Sequence, residues 1–386
     1  MFIKRQIENV LLRHASQYPV VAVMGARQSG KTTLVRHAFP DHPYISLEDP
    51  DTRFLATEDP RGFLNRIKKG GIIDEIQRVP ELLSYIQTHV DERGTAGQFI
   101  ITGSNQFLLS KHISQSLAGR ISLLKLMPFT ISELSNRLPD TAAQYIYTGS
   151  YPRIYHDSLN PTEWYLNYVE TYLEKDLKDI IKVSDLNNFR RFTALLASMC
   201  GQLINLSQIG NALGISHNTA KAWLSAMEQS YLIFLLQPYH KNYKKRLVKT
   251  PKLYFYDTGI ACALLRMHSY EGLDTHHFYG ALFENMVIAE ILKETMHRSG
   301  RSNLYFWRDH KGREIDCIIE ESNTLKSIEI KSSQTIRKDF FRNLSFFNDI
   351  AVKDSAVSSL VYGGTTESSF KGIRTVIWKI TYCLVD

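Results

Sequence analysis

Apolar runs alternate with charged, helix-period stretches along the first third of the chain. "PVVAVM" (19–24) is continuously apolar and leads into "GARQSGKTTL" (25–34) and "VRHAF", which predicts a strand, a tight turn and the start of a helix. "HPYISLEDPD", "KKGGIIDEIQRVPEL" and "GQFIITGSNQFLL" supply three further strand-length runs. Strand and helix in this alternation predict a parallel sheet with right-handed crossovers. After Ile121 the pattern turns helical. There, "NLSQIGNALGISHNTAKAWLSAMEQSYLI" predicts a helix over Leu206–Leu213, a turn at Gly214 and a second helix over 218–230 capped by Ser216. Ala212, Leu213, Ile215, Ala220, Trp223, Leu224 and Met227 fall on its inner face at helical spacing. "FLLQPYHKNYKKRLVKTPKLYFYD" then predicts a β-hairpin with a basic tip. In the last third, "GALFENMVIAEILKE" predicts an amphipathic helix, "NLYFWRDHKGREIDCIIEE" a hairpin turning at "HKGR", and "LKSIEIKSSQT" a strand. The expected class is α/β, in three parts: 1–135, 136–258 and 259–386.

The turn after the first strand has the form G-x-x-x-x-G-K-[ST], a P-loop, in which backbone N–H groups at a helix N-terminus wrap a polyphosphate. Gly25 and Gly30 permit the turn, and Gln28, Ser29 and Thr33 complete the wrap. Lys31 is expected to reach the outer phosphates of ATP, and the Thr32 hydroxyl to join the coordination of Mg²⁺. The strand "GGIID" ends in Asp74 and Glu75. The first carboxylate suits a role on Mg²⁺ and the second suits polarisation of the attacking water. The strand "FIITG" runs into Ser104 and Asn105, either of which could sense the γ-phosphate or cap the next helix.

The order "GARQSGKTTL", "IIDEIQRVPEL", "ITGSN" and "GRISLLKLMPFTISEL" resembles the prokaryotic AAA-type ATPases that carry an uncharacterised C-terminal domain. The resemblance covers essentially the whole chain and implies an AAA+-like P-loop core, with Lys31, Thr32, Asp74 and Glu75 at the matched positions. It also implies assembly into homo-oligomers with nucleotide at subunit contacts. Arg27, Arg78 and Arg120 all stand as candidates for an arginine that stabilises transition-state charge.

The helix-turn-helix followed by a hairpin has the form of a winged helix. Against DNA, His217, Asn218, Thr219 and Lys221 would meet the major groove, and Lys241, Lys244, Lys245 and Arg246 the phosphates. Winged helices also serve as protein-binding modules, and that reading stands beside the first. In the last third, Glu329 and Lys331 lie two residues apart and share a strand face. With Asp316 and the helix residue Glu284, they resemble the PD-(D/E)xK nucleases of restriction-endonuclease-like fold, with Ile315 where the motif's proline would stand. The resemblance implies Mg²⁺ or Mn²⁺ held by Asp316, Glu329 and Glu284, and water activated beside Lys331. The competing reading is a dimerisation or regulatory module that keeps the fold without the cleavage.

Length and charge narrow these readings little further. At 386 residues the chain exceeds one ordinary core. Its 44% hydrophobic and 22% charged residues exclude a disordered chain, and a net charge of +7 is compatible with nucleic-acid contact. The four cysteines are scattered, with no CxxC pair, so they read as small buried apolar residues. No apolar run reaches on the order of 18 residues and the N-terminus lacks a signal-peptide core, so no membrane contact and a cytoplasmic location are expected.

Overall fold

The computed structural model describes residues 2–104, 117–172, 186–239, 249–299, 302–321, 324–351 and 355–385. Two compact units emerge. The first comprises Met1–Phe129 with Gln229–Tyr231 and Met296–Gly300, and the second comprises Thr130–Glu228, Leu232–Thr295 and Arg301–Asp386.

The first unit is built on a five-stranded, wholly parallel sheet: β1 (Val20–Met24), β2 (Tyr44–Ser46), β3 (Gly71–Asp74), β4 (Phe99–Gly103) and β5 (Ile121–Lys125), in the order β2-β3-β4-β1-β5. Every residue of β1, β3 and β4 is buried, the signature of strands covered on both faces. Val21, Val23, Ile72, Ile100 and Leu124 pack with Leu34 and Val35 of the helix Lys31–Ala38 and with Ile7, Val10 and Leu11 of the helix Ile7–Ala15. Each such side chain contributes roughly 1.5–3 kcal/mol by leaving water. β5 corrects the expectation that the chain is helical beyond Ile121. Its half-buried alternation, with Leu123 exposed, marks an edge strand, and that short period-2 signal is lost beside the longer helical text.

The second unit carries an eight-stranded mixed sheet in the order β12-β13-β11-β10-β9-β8-β6-β7. Its strands are β6 (Ile233–Pro238), β7 (Lys252–Phe255), β8 (Leu304–Arg308), β9 (Glu314–Glu321), β10 (Thr324–Lys331), β11 (Ser355–Tyr362), β12 (Ser368–Phe370) and β13 (Ile373–Ile377). The β6–β7 hairpin is antiparallel as expected, but β6 also pairs with β8, so the hairpin belongs to the same sheet as the C-terminal strands. Trp307, Ile318, Leu325 and Leu360 form a core with Leu344 and Phe347 of the helix Arg342–Ile350. The helix Tyr279–Ser299 is not amphipathic. Its apolar side chains Leu282, Phe283, Met286, Val287, Ile288, Ile291 and Leu292 are buried, and so are Asn285, Glu290, Lys293 and Glu294. A helix enclosed all round has little apolar stripe to display. Asn285 holds it to β7 through both amide atoms, accepting from Phe255 N at 2.7 Å and donating to Phe255 O at 2.8 Å.

Candidate functional site

The phosphate-binding turn lies at the carboxyl edge of the first sheet, the edge where open parallel sheets bind ligands. Gly25 follows β1 directly, and a Cβ there would stand 2.0 Å from the Leu126 carbonyl oxygen, so no larger residue fits. Gln28 (φ 59°) and Gly30 (φ 94°) both adopt left-handed backbone and curl the loop into the helix Lys31–Ala38. The Ser29 carbonyl accepts from the Arg5 guanidinium at 2.9 Å, which ties the loop to the residues before the first helix. Lys31 folds back over the turn, donating to the carbonyls of Gly25 at 3.1 Å and Ala26 at 2.8 Å. Burial lowers its pKa; Glu75 and Asp74 oppose that shift and Arg27 adds to it.

Across from Lys31, the Asp74 carboxylate ends β3. Its Oδ2 accepts from the Thr32 hydroxyl at 3.0 Å and from the Tyr44 hydroxyl at 2.6 Å, and its Oδ1 from the Thr102 hydroxyl of β4. Thr32 and Asp74 therefore face one point, and their hard oxygens suit Mg²⁺. Glu75 takes a left-handed conformation (φ 58°), which turns its carboxylate away from the strand direction. Gln77 Nε2 donates to Glu75 Oε2, Ser104 Oγ donates to the same oxygen at 3.3 Å, and Gln77 Nε2 also donates to Ser104 Oγ at 3.1 Å. Ser104 thus stands beside the second acid, whereas Asn105 lies outside the described residues. Tyr44 and Gln77 were not singled out from sequence.

Two of the three candidate arginines are held in exposed ion pairs: Arg78 with Glu48 at 2.9 Å, and Arg120 with Asp91, its Nη2 reaching Oδ2 at 3.0 Å. The Arg120 carbonyl accepts from Val20 N at the start of β1, so Arg120 occupies the amino edge of the sheet. Five strand residues, about 16 Å at the usual rise, separate it from the phosphate turn, which excludes a role on its own chain's nucleotide.

In the second unit, Asn205 caps the helix Leu206–Leu213 by accepting from Ser207 N and Gln208 N, and Gly214 (φ 69°) ends it. Ser216 accepts from Thr219 N at 3.0 Å and caps the next helix, His217–Gln229, which starts one residue earlier than expected. His217, Asn218 and Lys221 are exposed and Thr219 is half-buried. Ala212 is exposed rather than on the inner face. Lys241, Lys244, Lys245 and Arg246 lie outside the described residues.

The C-terminal candidates converge. The β9–β10 ladder runs to Cys317 opposite Ile328, and just beyond it Asp316 Oδ2 accepts from Ile330 N at 2.7 Å. A β-bulge against β8 falls at this point, between the pairs Tyr305–Ile318 and Trp307–Ile315, and re-aims the β9 side chains. Lys331 Nζ lies 2.7 Å from Glu329 Oε1 and 3.7 Å from Asp316 Oδ2. Glu284 accepts from Tyr254 OH at 2.6 Å and from Lys252 Nζ at 3.1 Å, and the same ammonium pairs with Glu314, which Arg308 also approaches at 3.4 Å.

Electrostatics knit these groups together. Burial, and then Asp316, push Glu329 up to about 8 against the pull of Lys331, and burial and Asp316 likewise raise Glu284 against Lys252. Burial works against both ammonium groups, yet Glu284, Asp316 and Glu314 carry Lys252 above its usual value, and Asp316 and Glu329 do the same for Lys331. Lys252 and Tyr254 were not anticipated. As arranged, this donor set does not fit a divalent cation, because Glu284 and Glu314 are paired with Lys252, Glu329 with Lys331, and Asp316 Oδ2 accepts from Ile330 N. Among the described residues no group of three or more His, Cys, Asp or Glu side chains is disposed to hold a metal ion.

Comparison with known proteins agrees with the N-terminal geometry. Residues 17–135 match an AAA domain, while 139–271 and 279–382 match two domains of unknown function, DUF8612 and DUF4143. The uncharacterized protein Rv2008c of Mycobacterium tuberculosis is 30% identical over 341 residues, covering 87% of this chain and 75% of that protein. The chain belongs to the family of Rv2008c. Another similar protein, the uncharacterized MJ1544 of Methanocaldococcus jannaschii, is 24% identical over 382 residues, 87% of this chain and 82% of its own length. Among solved structures, the Walker-type ATPase PABY2304 of Pyrococcus abyssi is 16% identical with a TM-score of 0.43, over 68% of this chain and 96% of that one. The AAA match contains the phosphate turn, Asp74, Glu75 and Ser104, so the first unit is an AAA-type P-loop fold. No helix among the described residues is long and apolar enough to cross a membrane.

Proposed function

We propose that this chain binds Mg²⁺–ATP at the first unit and hydrolyses it. The observation that carries this is the meeting of Thr32 and Asp74 at 3.0 Å beside the buried Lys31, a hydroxyl, a carboxylate and an ammonium disposed as a P-loop site needs them. Lys31 leaves its carbonyl partners for the outer phosphates, and the loop 25–33 encloses the chain of phosphates. Bound at Thr32 and Asp74, Mg²⁺ would supply charge neutralisation at the phosphoryl oxygens. Glu75, held by Gln77 and Ser104, orients the attacking water and accepts its proton. Lys31→Ala is expected to lower kcat/KM for ATP by on the order of a hundredfold or more, the scale of losing one oriented charge-stabilising donor. Mg²⁺-dependent phosphate release that is equal in the wild type and this variant would refute the reading.

A second reading concerns coupling to DNA. We infer that the helix-turn-helix contacts DNA: the exposed His217, Asn218 and Lys221 at the start of the capped helix offer donors and a cation to a groove. DNA-stimulated ATP turnover, reduced by Lys221→Glu, is the expected result; turnover indifferent to DNA would favour the alternative, a nucleotide-dependent switch that binds a protein. For the C-terminal region the reading is a nuclease-like fold, supported by the convergence of Glu284, Asp316, Glu329 and Lys331. No cleavage step follows from a cluster whose carboxylates are engaged by Lys252, Lys331 and the Ile330 amide.

A further inference from the structure

We propose that Lys252 is the resident cation of the C-terminal carboxylate cluster, standing in for a divalent metal ion and excluding it. The inference goes beyond the ATPase reading and does not rest on it. Lys252 opens β7, the hairpin strand next to β6 at the sheet's edge, and its residue is 3% exposed. Its ammonium touches Glu284 at 3.1 Å and Glu314 more closely still, lies 5.7 Å from the Phe306 ring centroid, and is attracted by Asp316. A solvated surface lysine would give little stability through such contacts, whereas a buried ammonium among carboxylates is retained only when their charges repay its desolvation.

Charge accounting leads to the same place. Glu284, Glu314 and Asp316, with the carboxyl of Glu329 that burial pushes up to about 8, face Lys252, Lys331 and Arg308. A dication added to that set would bring two further positive charges beside a fixed ammonium, so lysine and metal compete for the same carboxylates. Taking Lys252 away leaves Glu284 and Glu314 without the ammonium they share. Glu329 Oε2, buried and without a hydrogen-bond partner, remains a further oxygen in the cluster. Hard oxygens in that number are what Mg²⁺ and Mn²⁺ take.

The test uses the full chain carrying Asp74→Asn, which removes the nucleotide-site carboxylate, with Mn²⁺ as the probe read by electron paramagnetic resonance. Lys252→Met is expected to bind one Mn²⁺ per chain, roughly a hundredfold or more tighter than the parent, the scale of uncompensating one buried charge. Adding Asp316→Asn should abolish that binding. Equal Mn²⁺ affinity in parent and Lys252→Met, or no binding by a folded Lys252→Met, overturns the proposal. Should Lys252→Met fail to fold, the parent still decides: millimolar Mn²⁺ is expected to leave its thermal transition unmoved, and an upward shift that Asp316→Asn removes overturns the proposal. DNA cleavage by the wild type in Mn²⁺, lost in Asp316→Asn, would also overturn it, whereas absence of ATP turnover would sink only the ATPase reading.

Discussion

Lys31 and Lys252 are both buried lysines, 5% and 3% exposed, and their surroundings drive them in opposite directions. Lys31 is bonded to two carbonyls and its pKa falls through burial; Lys252 is bonded to carboxylates and its pKa rises despite burial. A buried ammonium whose partners are neutral is an unfilled demand for negative charge, which a polyphosphate meets. Once its partners are anions, the demand is already met inside the fold. The comparison separates a site awaiting an anion from a cluster that is complete, although both contain a lysine between two acids.

Stability should expose this contrast most strongly. Lys252→Met is expected to cost about 3–5 kcal/mol in urea unfolding, because it strands buried carboxylates. Lys31→Met should cost far less, or raise the melting temperature, since it removes a desolvated charge at a functional site. Equal losses in the two variants would break the comparison.

A smaller effect follows from Glu329. Its carboxyl binds a proton up to about pH 8 in the folded chain but only up to the usual value of 4.5 when unfolded. The folded state therefore holds the extra proton between those values, and stability should fall as pH rises from about 4.5 to about 8. Glu329→Gln is expected to flatten that slope in pH-dependent thermal scans; a slope that survives the change assigns it elsewhere. Smallest of all, Gln77→Ala should lower kcat by roughly tenfold or less with little change in KM, because Gln77 positions Glu75 and does not replace it. An altered KM with normal kcat would place Gln77 in nucleotide binding instead.

How far each region could be read in advance follows from how local its chemistry is. The phosphate turn was legible because Gly25 through Thr33 are contiguous, and Asp74 and Glu75 follow an unmistakable apolar run. Glu284, Asp316, Glu329 and Lys331 were legible through the E-x-K spacing and its resemblance. Lys252 was not, since in "YKKRLVKTPK" it looks like one more surface lysine. Only the pairing of β6 with both β7 and β8 carries it to Glu284 and Glu314, and sheet order is a long-range property that no window of sequence displays. Tyr44 was hidden in the same way, by the β2–β3 pairing that sets its strand beside Asp74. Gln77 was within reach, two residues from Glu75, but the left-handed turn at Glu75 that brings them together has no signal in a glutamate.

The central claim, that the AAA-type unit hydrolyses ATP with Glu75 orienting the water, is tested most directly by measuring nucleotide affinity and single-turnover hydrolysis side by side in the wild type and Glu75→Gln. The predicted result is Mg²⁺-dependent turnover in the wild type, with Glu75→Gln binding ATP about as tightly and hydrolysing it on the order of a hundredfold or more slowly. Unchanged turnover in Glu75→Gln, or a wild-type chain that binds Mg²⁺–ATP and never cleaves it, would contradict the account.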